Sequence, residues 1–262
     1  MDDGGAAAVS AAPPALRVDD LRRHFGGLRA LDGVSFAVAP GERRAIIGPN
    51  GAGKTTLFNL ISGELAPTSG RVYLEGTDVT DLPNHQRTRL GLARTFQRTN
   101  LFLGLTVHEN VRLAVQARRG VAHRLWAAID GLAGVAAETA AVLGELGLAD
   151  RAGVLVRNLS YGEQRQLEVA VAVASRPRVL LLDEPTAGMS PAETTEMVRT
   201  IGALPTALTL LIIEHDMDVV FALADRIMVL HYGEVLADGE PEAVRGNPRV
   251  AEVYMGGAAG AE

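Results

Sequence analysis

Gly48-Pro49-Asn50-Gly51-Ala52-Gly53-Lys54-Thr55-Thr56 decides the reading of this chain. It fills every fixed position of the pattern G-x-x-x-x-G-K-[ST]. Ahead of it, Arg44 to Ile47 reads as a short buried strand. Behind it, Leu57, Leu60 and Ile61 repeat at helical spacing between Thr55 and Ile61. Strand, glycine loop and helix form the context in which this pattern cradles phosphate. The glycines let the backbone turn tightly and aim N–H groups inward, and the helix adds its positive end. Lys54 would then bridge the β- and γ-phosphates of a nucleotide and the Thr55 hydroxyl would hold Mg²⁺. Gly48, Pro49, Asn50, Gly51, Ala52, Gly53 and Thr56 complete the cradle. Of the 25 basic residues only Lys54 is a lysine; the rest are arginine. A codon bias explains the rest and makes the exception informative, because a tight phosphate cradle takes a compact point charge and not a wide guanidinium fork.

The 262 residues suffice for one large domain or a core with a subdomain, and 47% hydrophobic content can fill it. A net charge of -6 and a pI of about 5.6 argue against nucleic acid as the main partner. The absence of cysteine excludes disulfides and thiolate metal sites and is compatible with a reducing compartment. The longest apolar runs, such as Ala207 to Ile213, fall far short of the ~18 residues of a membrane span. Residues 1–15 are Ala/Gly/Pro-rich without a signal pattern, and a disordered tail is expected there.

Along the chain, Leu16 to Asp20 and Val34 to Val38 alternate as antiparallel strands around a turn at Gly26-Gly27. Phe25, in that turn, is either a packing aromatic or a face for an adenine ring, the latter worth roughly 1–3 kcal/mol. Arg71 to Leu74 and Leu90 to Phe96 read as further strands. Thr106 to Leu148 turns Ala/Leu/Val/Glu-rich and reads as an inserted helical subdomain, in which Trp126, His108 and His123 are packing or surface residues. Leu159-Ser160-Tyr161-Gly162-Glu163-Gln164 opens a helix through Ala174, with Ser160 and Glu163 forming a capping box. Arg178 to Pro185 reads as a buried parallel strand, continuously apolar from Val179 to Leu182 and ending in two carboxylates. With a phosphate loop upstream, its end puts Asp183 near Mg²⁺ and Glu184 where it polarises the attacking water. The other reading of this pair is a solvated turn before Pro185. Ala207 to Ile213 is another strand, and His215 just past it lies at the edge where open α/β sheets bind ligands. From there it could reach a γ-phosphate, or hold Glu184 and the water in line. Strands at Arg226 to Leu230 and Glu234 to Leu236 and a polar C-terminal helical stretch follow.

With these pieces in order, residues 16–257 resemble the ATP-binding subunit of ABC transporters. The resemblance rests on the P-loop, Gln97 as the Q-loop glutamine, Leu159 to Gln164 as the signature, Asp183 and Glu184 at the end of the Walker B strand, and His215 as the switch histidine. Phe25 to Leu28, Ile47 to Asn59, Arg94 to Gln97, Glu214 to Met217 and Val253 to Gly256 look like the branched-chain amino acid importer subgroup. Two positions depart from the usual pattern: Ser190 stands where aspartate or asparagine is common, and Phe25 where many relatives carry tyrosine.

The resemblance implies an α/β fold: a P-loop NTPase core of mixed sheet with helices on both faces, an N-terminal antiparallel β subdomain and an inserted α-helical subdomain. It implies a nucleotide-binding core at 16–96 and 175–240, a helical subdomain at 97–174, a C-terminal extension at 241–257 and a tail at 258–262. ATP and Mg²⁺ are the implied cofactors, with Thr55, Gln97 and Asp183 on the metal. Lys54, Glu184 and His215 are the implied catalytic residues. Ser160, Gly162 and Glu163 would face the nucleotide of a second, head-to-tail subunit, and Gln97 would link the γ-phosphate to a membrane permease. The implied partners are a second ATP-binding subunit, two permease subunits and, indirectly, a solute-binding protein, with no nucleic acid. The implied setting is peripheral, on the cytoplasmic face of the membrane. The expected activity is ATP hydrolysis driving uptake of branched-chain or other hydrophobic amino acids; urea or amide uptake and lipid or solute export are the alternatives. Repair and translation ATPases with this cassette carry long coiled coils or two cassettes, and this chain has one contiguous cassette without heptads or a basic tail.

Overall fold

The structure, a computed structural model, describes residues 13–95, 101–120 and 134–256. The expectations for the tails at 1–12 and 258–262, and for Gln97, Phe96, His123 and Trp126, lie outside these residues.

Two sheets organise the chain. The first is antiparallel, in the order β2-β1-β4-β5, from β1 (Leu16–Phe25), β2 (Leu28–Val38), β4 (Ser69–Leu74) and β5 (Thr77–Asp78). Strands β1 and β2 run longer than the alternation suggests, pairing from Leu16↔Val38 to Phe25↔Leu28. Phe25 is therefore the last residue of β1 and not a loop residue. Ala15, ahead of the expected boundary, is already buried, and its carbonyl accepts from the Glu75 amide at 3.1 Å.

The second sheet has the order β10-β9-β3-β8-β7-β6. Its members are β3 (Arg43–Ile47), β6 (Leu92–Arg94), β7 (Val179–Asp183), β8 (Thr209–Ile213), β9 (Arg226–His231) and β10 (Glu234–Gly239). All neighbours pair in parallel except β10 on β9, so the sheet is mixed. Strand β6 is shorter than the Leu90 to Phe96 run implies. Leu90 instead closes the short helix α2 (Asn84–Arg89), its amide bonded to the Arg87 and Gln86 carbonyls.

Two-sided burial explains the continuous apolar runs of β7 and β8. Leu180, Leu182, Leu210 and Ile212 face the helices α3 (Val107–Arg118), α4 (Val135–Glu145), α5 (Tyr161–Ala174) and α6 (Pro191–Gly202). Val179, Leu181, Leu211 and Ile213 face the other way, onto α1 (Lys54–Ser62) and the antiparallel sheet. Side chains alternate with a period of two. Asp183 thus shares the face of Val179 and Leu181, toward the helix that follows the glycine loop. The remaining helices, α7 (Met217–Leu223), α8 (Pro241–Arg245) and α9 (Pro248–Gly256), close the β3–β9 side, where Val220, Val244 and Val250 pack on Ala45, Ile47 and Val229.

Helix α1 has asymmetric ends. Its last turn is gripped by Arg87, which is 1% exposed. The guanidinium donates to the carbonyls of Leu60 at 2.7 Å, Ile61 at 2.8 Å, Leu82 at 2.8 Å and Thr80 at 2.7 Å. A cation at this end complements the helix dipole and satisfies carbonyls that water cannot reach. Arg87→Met removes every donor and leaves those carbonyls bare. The expected loss is about 3 kcal/mol or more in denaturant unfolding, and a loss under 1 kcal/mol would contradict this role.

Candidate functional site

The glycine loop runs from the end of β3 into α1. Gly53, the residue before α1, has a φ of 104°, and a Cβ there would lie 2.6 Å from the Ala30 carbonyl oxygen. Only glycine satisfies both demands. Unlike its last turn, the first turn of α1 has no side-chain cap and no acidic residue. Its N–H groups and the positive end of its dipole stay available to an anion. Lys54 is half-buried, and its ammonium donates to the carbonyls of Gly48 at 2.5 Å and Pro49 at 3.1 Å. Burial lowers the Lys54 pKa, and the carboxylates of Glu184 and Asp183 act against that shift.

One open cleft brings together Phe25, Asn50 to Thr56, Glu184 and Tyr232. Phe25 stands at its rim, 46% exposed, with the Arg23 guanidinium 4.5 Å from its ring centroid. Glu184 holds a φ of 48°, a left-handed conformation costing a non-glycine residue about 1–2 kcal/mol. Its amide is tied to the Ile213 carbonyl at 2.9 Å, which fixes the turn after β7 against β8.

Asp183 is 2% exposed. Its Oδ2 accepts from Arg94 at 2.7 Å, while its buried Oδ1 has no hydrogen-bond partner among the described residues. A bare buried carboxylate oxygen is costly unless a cation or donor meets it. Mg²⁺ is bound through one or two carboxylates plus substrate phosphates, so this oxygen and the Thr55 hydroxyl suit it. Among the described residues no cluster of three or more His, Asp or Glu could hold a metal by itself.

His215 lies between β8 and α7, with its side chain 65% exposed and its Nδ1 3.8 Å from Glu214 Oε2. It does not line the cleft. Its neighbour Glu214 is fully buried and accepts from the Thr186 hydroxyl at 2.5 Å, the Thr186 amide at 3.1 Å and the His215 amide at 3.0 Å. That carboxylate staples the segment after β7 to the segment after β8.

Ser160, Gly162 and Glu163 form a second locus outside this cleft. Ser160 caps α5, its Oγ accepting from the Glu163 amide at 3.2 Å while Glu163 accepts from the Ser160 amide at 2.9 Å. Glu163 also pairs with Arg151 at 2.6 Å, and the amide of Ser160 holds its carboxyl below the usual range. Glu193 on α6 adds to this end of α5. Its Oε1 accepts from the Gly162 amide at 3.1 Å and the Ser160 hydroxyl at 3.4 Å. Its Oε2 accepts from the Ser190 amide at 3.0 Å and hydroxyl at 2.8 Å. Ser190 is the N-cap of α6, a role serine shares with aspartate and asparagine, so the departure at this position keeps the cap.

The matches with known proteins agree with this geometry. Residues 31–187 match the ABC transporter family, and residues 234–260 match the branched-chain amino acid ATP-binding cassette transporter family. The chain belongs to the ABC transporter family. This cassette is 41% identical over 251 residues to the high-affinity branched-chain amino acid transport ATP-binding protein BraF of Pseudomonas aeruginosa, covering 93% of this chain and 98% of that one. Identity is also 41%, over 250 residues with the same coverage, to the protein of that description, LivG, from Escherichia coli. Among solved structures, a nucleotide-free ATP-binding cassette from an ABC transporter superposes with a TM-score of 0.80 at 31% identity, over 92% of this chain and 98% of that one. An ABC transporter cassette in its ADP conformation gives 0.81 at 32% identity, over 93% and 99%. The α/β P-loop fold expected of the cassette is the fold observed.

Two residues of this cassette escaped sequence reasoning. Tyr232 lines the cleft from the β9–β10 turn, 81% exposed with a φ of 47°. The Tyr-Gly pair between two strands signals the turn but not its nearness to the glycine loop. Glu193 is the third residue of α6, and nothing local in the sequence announces its reach to Gly162. A Cβ on Gly162 would lie 2.7 Å from Glu193 Oε1. Gly162→Ala should therefore swing Glu193 away and uncap α6, costing about 1 kcal/mol, as should Ser190→Ala. Both act through one carboxylate, so the double variant should lose less than the two single losses combined. Strict additivity in chemical denaturation would sever this link.

Proposed function

We propose that this chain is the ATP-binding and ATP-hydrolysing subunit of an ABC importer for branched-chain or other hydrophobic amino acids. The observation that carries the reading is the cleft uniting an exposed aromatic, an uncapped helix behind a glycine loop, and a carboxylate after the parallel strand β7. The relatives named for branched-chain amino acid transport match it over nearly their whole lengths and support the solute class.

In this reading the adenine of ATP lies against Phe25, and its phosphates meet the loop amides of Gly48 to Thr56. Lys54 exchanges its two carbonyl partners for the β- and γ-phosphates. A compact ammonium can make this exchange without leaving the loop. Mg²⁺ would be held by Thr55, Asp183 and Gln97, and it supplies charge neutralisation at the phosphate oxygens. Glu184, strained into position beside Lys54, takes the proton of the attacking water. His215, its side chain exposed beside the stapled Glu214, would turn to meet the γ-phosphate or to hold Glu184 and the water in line.

Ser160 and Gly162 meet the phosphates of a second subunit arranged head to tail, with Glu163 holding the helix end in shape. Two nucleotides then join two subunits, and their hydrolysis removes the charge that attracts both helix ends. Swinging such a pair from mostly open to mostly closed takes about 5.5 kcal/mol of differential binding. Residues 97–174 act as the helical subdomain, and Gln97 links the nucleotide to two permease subunits served by a solute-binding protein. No described helix is long and apolar enough to cross a membrane, which suits a peripheral subunit on the cytoplasmic face.

Glu184→Gln should bind ATP yet stop turnover and accumulate a closed dimer by light scattering. Adding Ser160→Arg should abolish that dimer while nucleotide binding by the single subunit persists. Rapid hydrolysis by the first variant, or a dimer that survives the second change, would overturn the shared site. Phe25→Ala should weaken ATP by about 10-fold, in line with roughly 1–3 kcal/mol of stacking, and leave inorganic triphosphate unaffected. Equal losses for both ligands would remove the stacking role.

A further inference from the structure

We propose that Arg94 is a positioning residue for the metal end of the nucleotide site, acting through Asp183. The proposal rests on the reading of Asp183 as a metal ligand. Arg94 ends β6 and pairs with Leu181 on the neighbouring strand β7. Its side chain is 6% exposed and that of Asp183 is 0% exposed. One arm of the guanidinium donates to Asp183 Oδ2 at 2.7 Å. The other donates to Asn59 Oδ1 at 2.7 Å, Ser62 Oγ at 3.3 Å and Glu64 Oε2 at 3.2 Å. Asn59 and Ser62 belong to α1, the helix that begins with Lys54 and Thr55. A single planar fork therefore spans from the carboxylate at the end of β7 to the helix carrying the phosphate loop.

Three features separate this pair from an ordinary buried ion pair. First, among the described residues only one carboxylate oxygen is engaged: Oδ1 stays buried without a hydrogen-bond partner there. A pair serving stability alone gains by satisfying both oxygens. Second, two carboxylates, Asp183 and Glu64, share the one guanidinium. The cluster keeps a net negative charge that a cation neutralises. Third, the fork holds the carboxylate at a fixed rotation, which a lysine's point charge would not. Groups that orient a metal ligand in this way typically contribute 10–100-fold to metal affinity.

The chain after Arg94 extends the argument. The Thr95 amide bonds to the Leu181 carbonyl at 2.9 Å, so the backbone just past Arg94 is stitched to β7.

The test measures affinity for a non-hydrolysable ATP analogue on the full chain, once in EDTA and once across a Mg²⁺ titration. The wild-type chain should bind more tightly with Mg²⁺. Arg94→Gln should need at least 10-fold more Mg²⁺ for half of that effect while binding in EDTA stays within twofold. Arg94→Lys should fall between. Should Arg94→Gln fail to fold, Asn59→Ala, which frees the α1 end of the fork, should shift the Mg²⁺ midpoint the same way by a smaller factor. An unchanged midpoint in the folded variants, or an equal loss in EDTA, would reduce Arg94 to packing and overturn the proposal. A wild-type chain indifferent to Mg²⁺ would instead overturn the metal reading beneath it.

Discussion

The open first turn of α1 is the constraint to which the rest of this cassette answers. A helix start normally finds acceptors in its own sequence. Here α3, α5 and α6 each do so with a full capping box, from Thr106 and Glu109, Ser160 and Glu163, and Ser190 and Glu193. Helix α1 has glycine in the capping position and lysine and threonine after it. Its other end is closed by the buried Arg87, so the dipole is satisfied where it meets protein and exposed where it meets the cleft. A helix arranged in that way is stable as it stands and gains further when a polyanion arrives.

The sheet supplies the carboxylates by simple alternation. Because β7 is buried on both faces, its register against β8 is held by apolar packing on each side, from Val179↔Thr209 to Asp183↔Ile213. A one-residue slip would turn Asp183 toward the apolar layer under α3–α6 and bury apolar residues against the wrong layer. The site is thus as precise as the core beneath it. Glu184 follows in a left-handed turn that throws its side chain to the cleft, and Glu214 ties that turn to the next strand's loop through Thr186. Strain at Glu184 is held by these bonds, as expected where a side chain must point in a direction its backbone would not choose.

Local patterns carried most of this into view from the sequence. The glycine loop, the continuous apolar run before Asp183 and the capping box at Ser160 each depend on residues within a few positions of one another, and each was legible. Boundaries were less so. Phe25 reads as a loop residue because Gly26-Gly27 follows it, yet pairing with Leu28 carries the strand to the turn. Leu90 reads as strand because apolar residues follow, yet Arg87 draws its segment into a helix. What periodicity cannot register is a polar contact between distant segments. Arg94 and Asp183 are 89 residues apart, and Gly162 and Glu193 are 31 apart. Such pairs are set by which strands and helices become neighbours, and no single stretch of sequence records that.

The two loci differ in a way that bears on how a cassette can switch. The start of α1 has no side-chain cap among the described residues, whereas the start of α5 is satisfied by Ser160, Glu163 and the carboxylate of Glu193. An anion approaching α1 meets amides and an ammonium that only exchanges carbonyl partners. An anion approaching α5 meets amides already engaged and a carboxylate of its own sign. The first encounter is favourable from the outset; the second is an exchange whose gain is a difference between two sets of hydrogen bonds. Binding at one end and contact at the other therefore need not occur together. In the proposed head-to-tail pair, a subunit would thus hold its nucleotide without closing on a partner, the separation a two-state device needs if closure is to await a second signal.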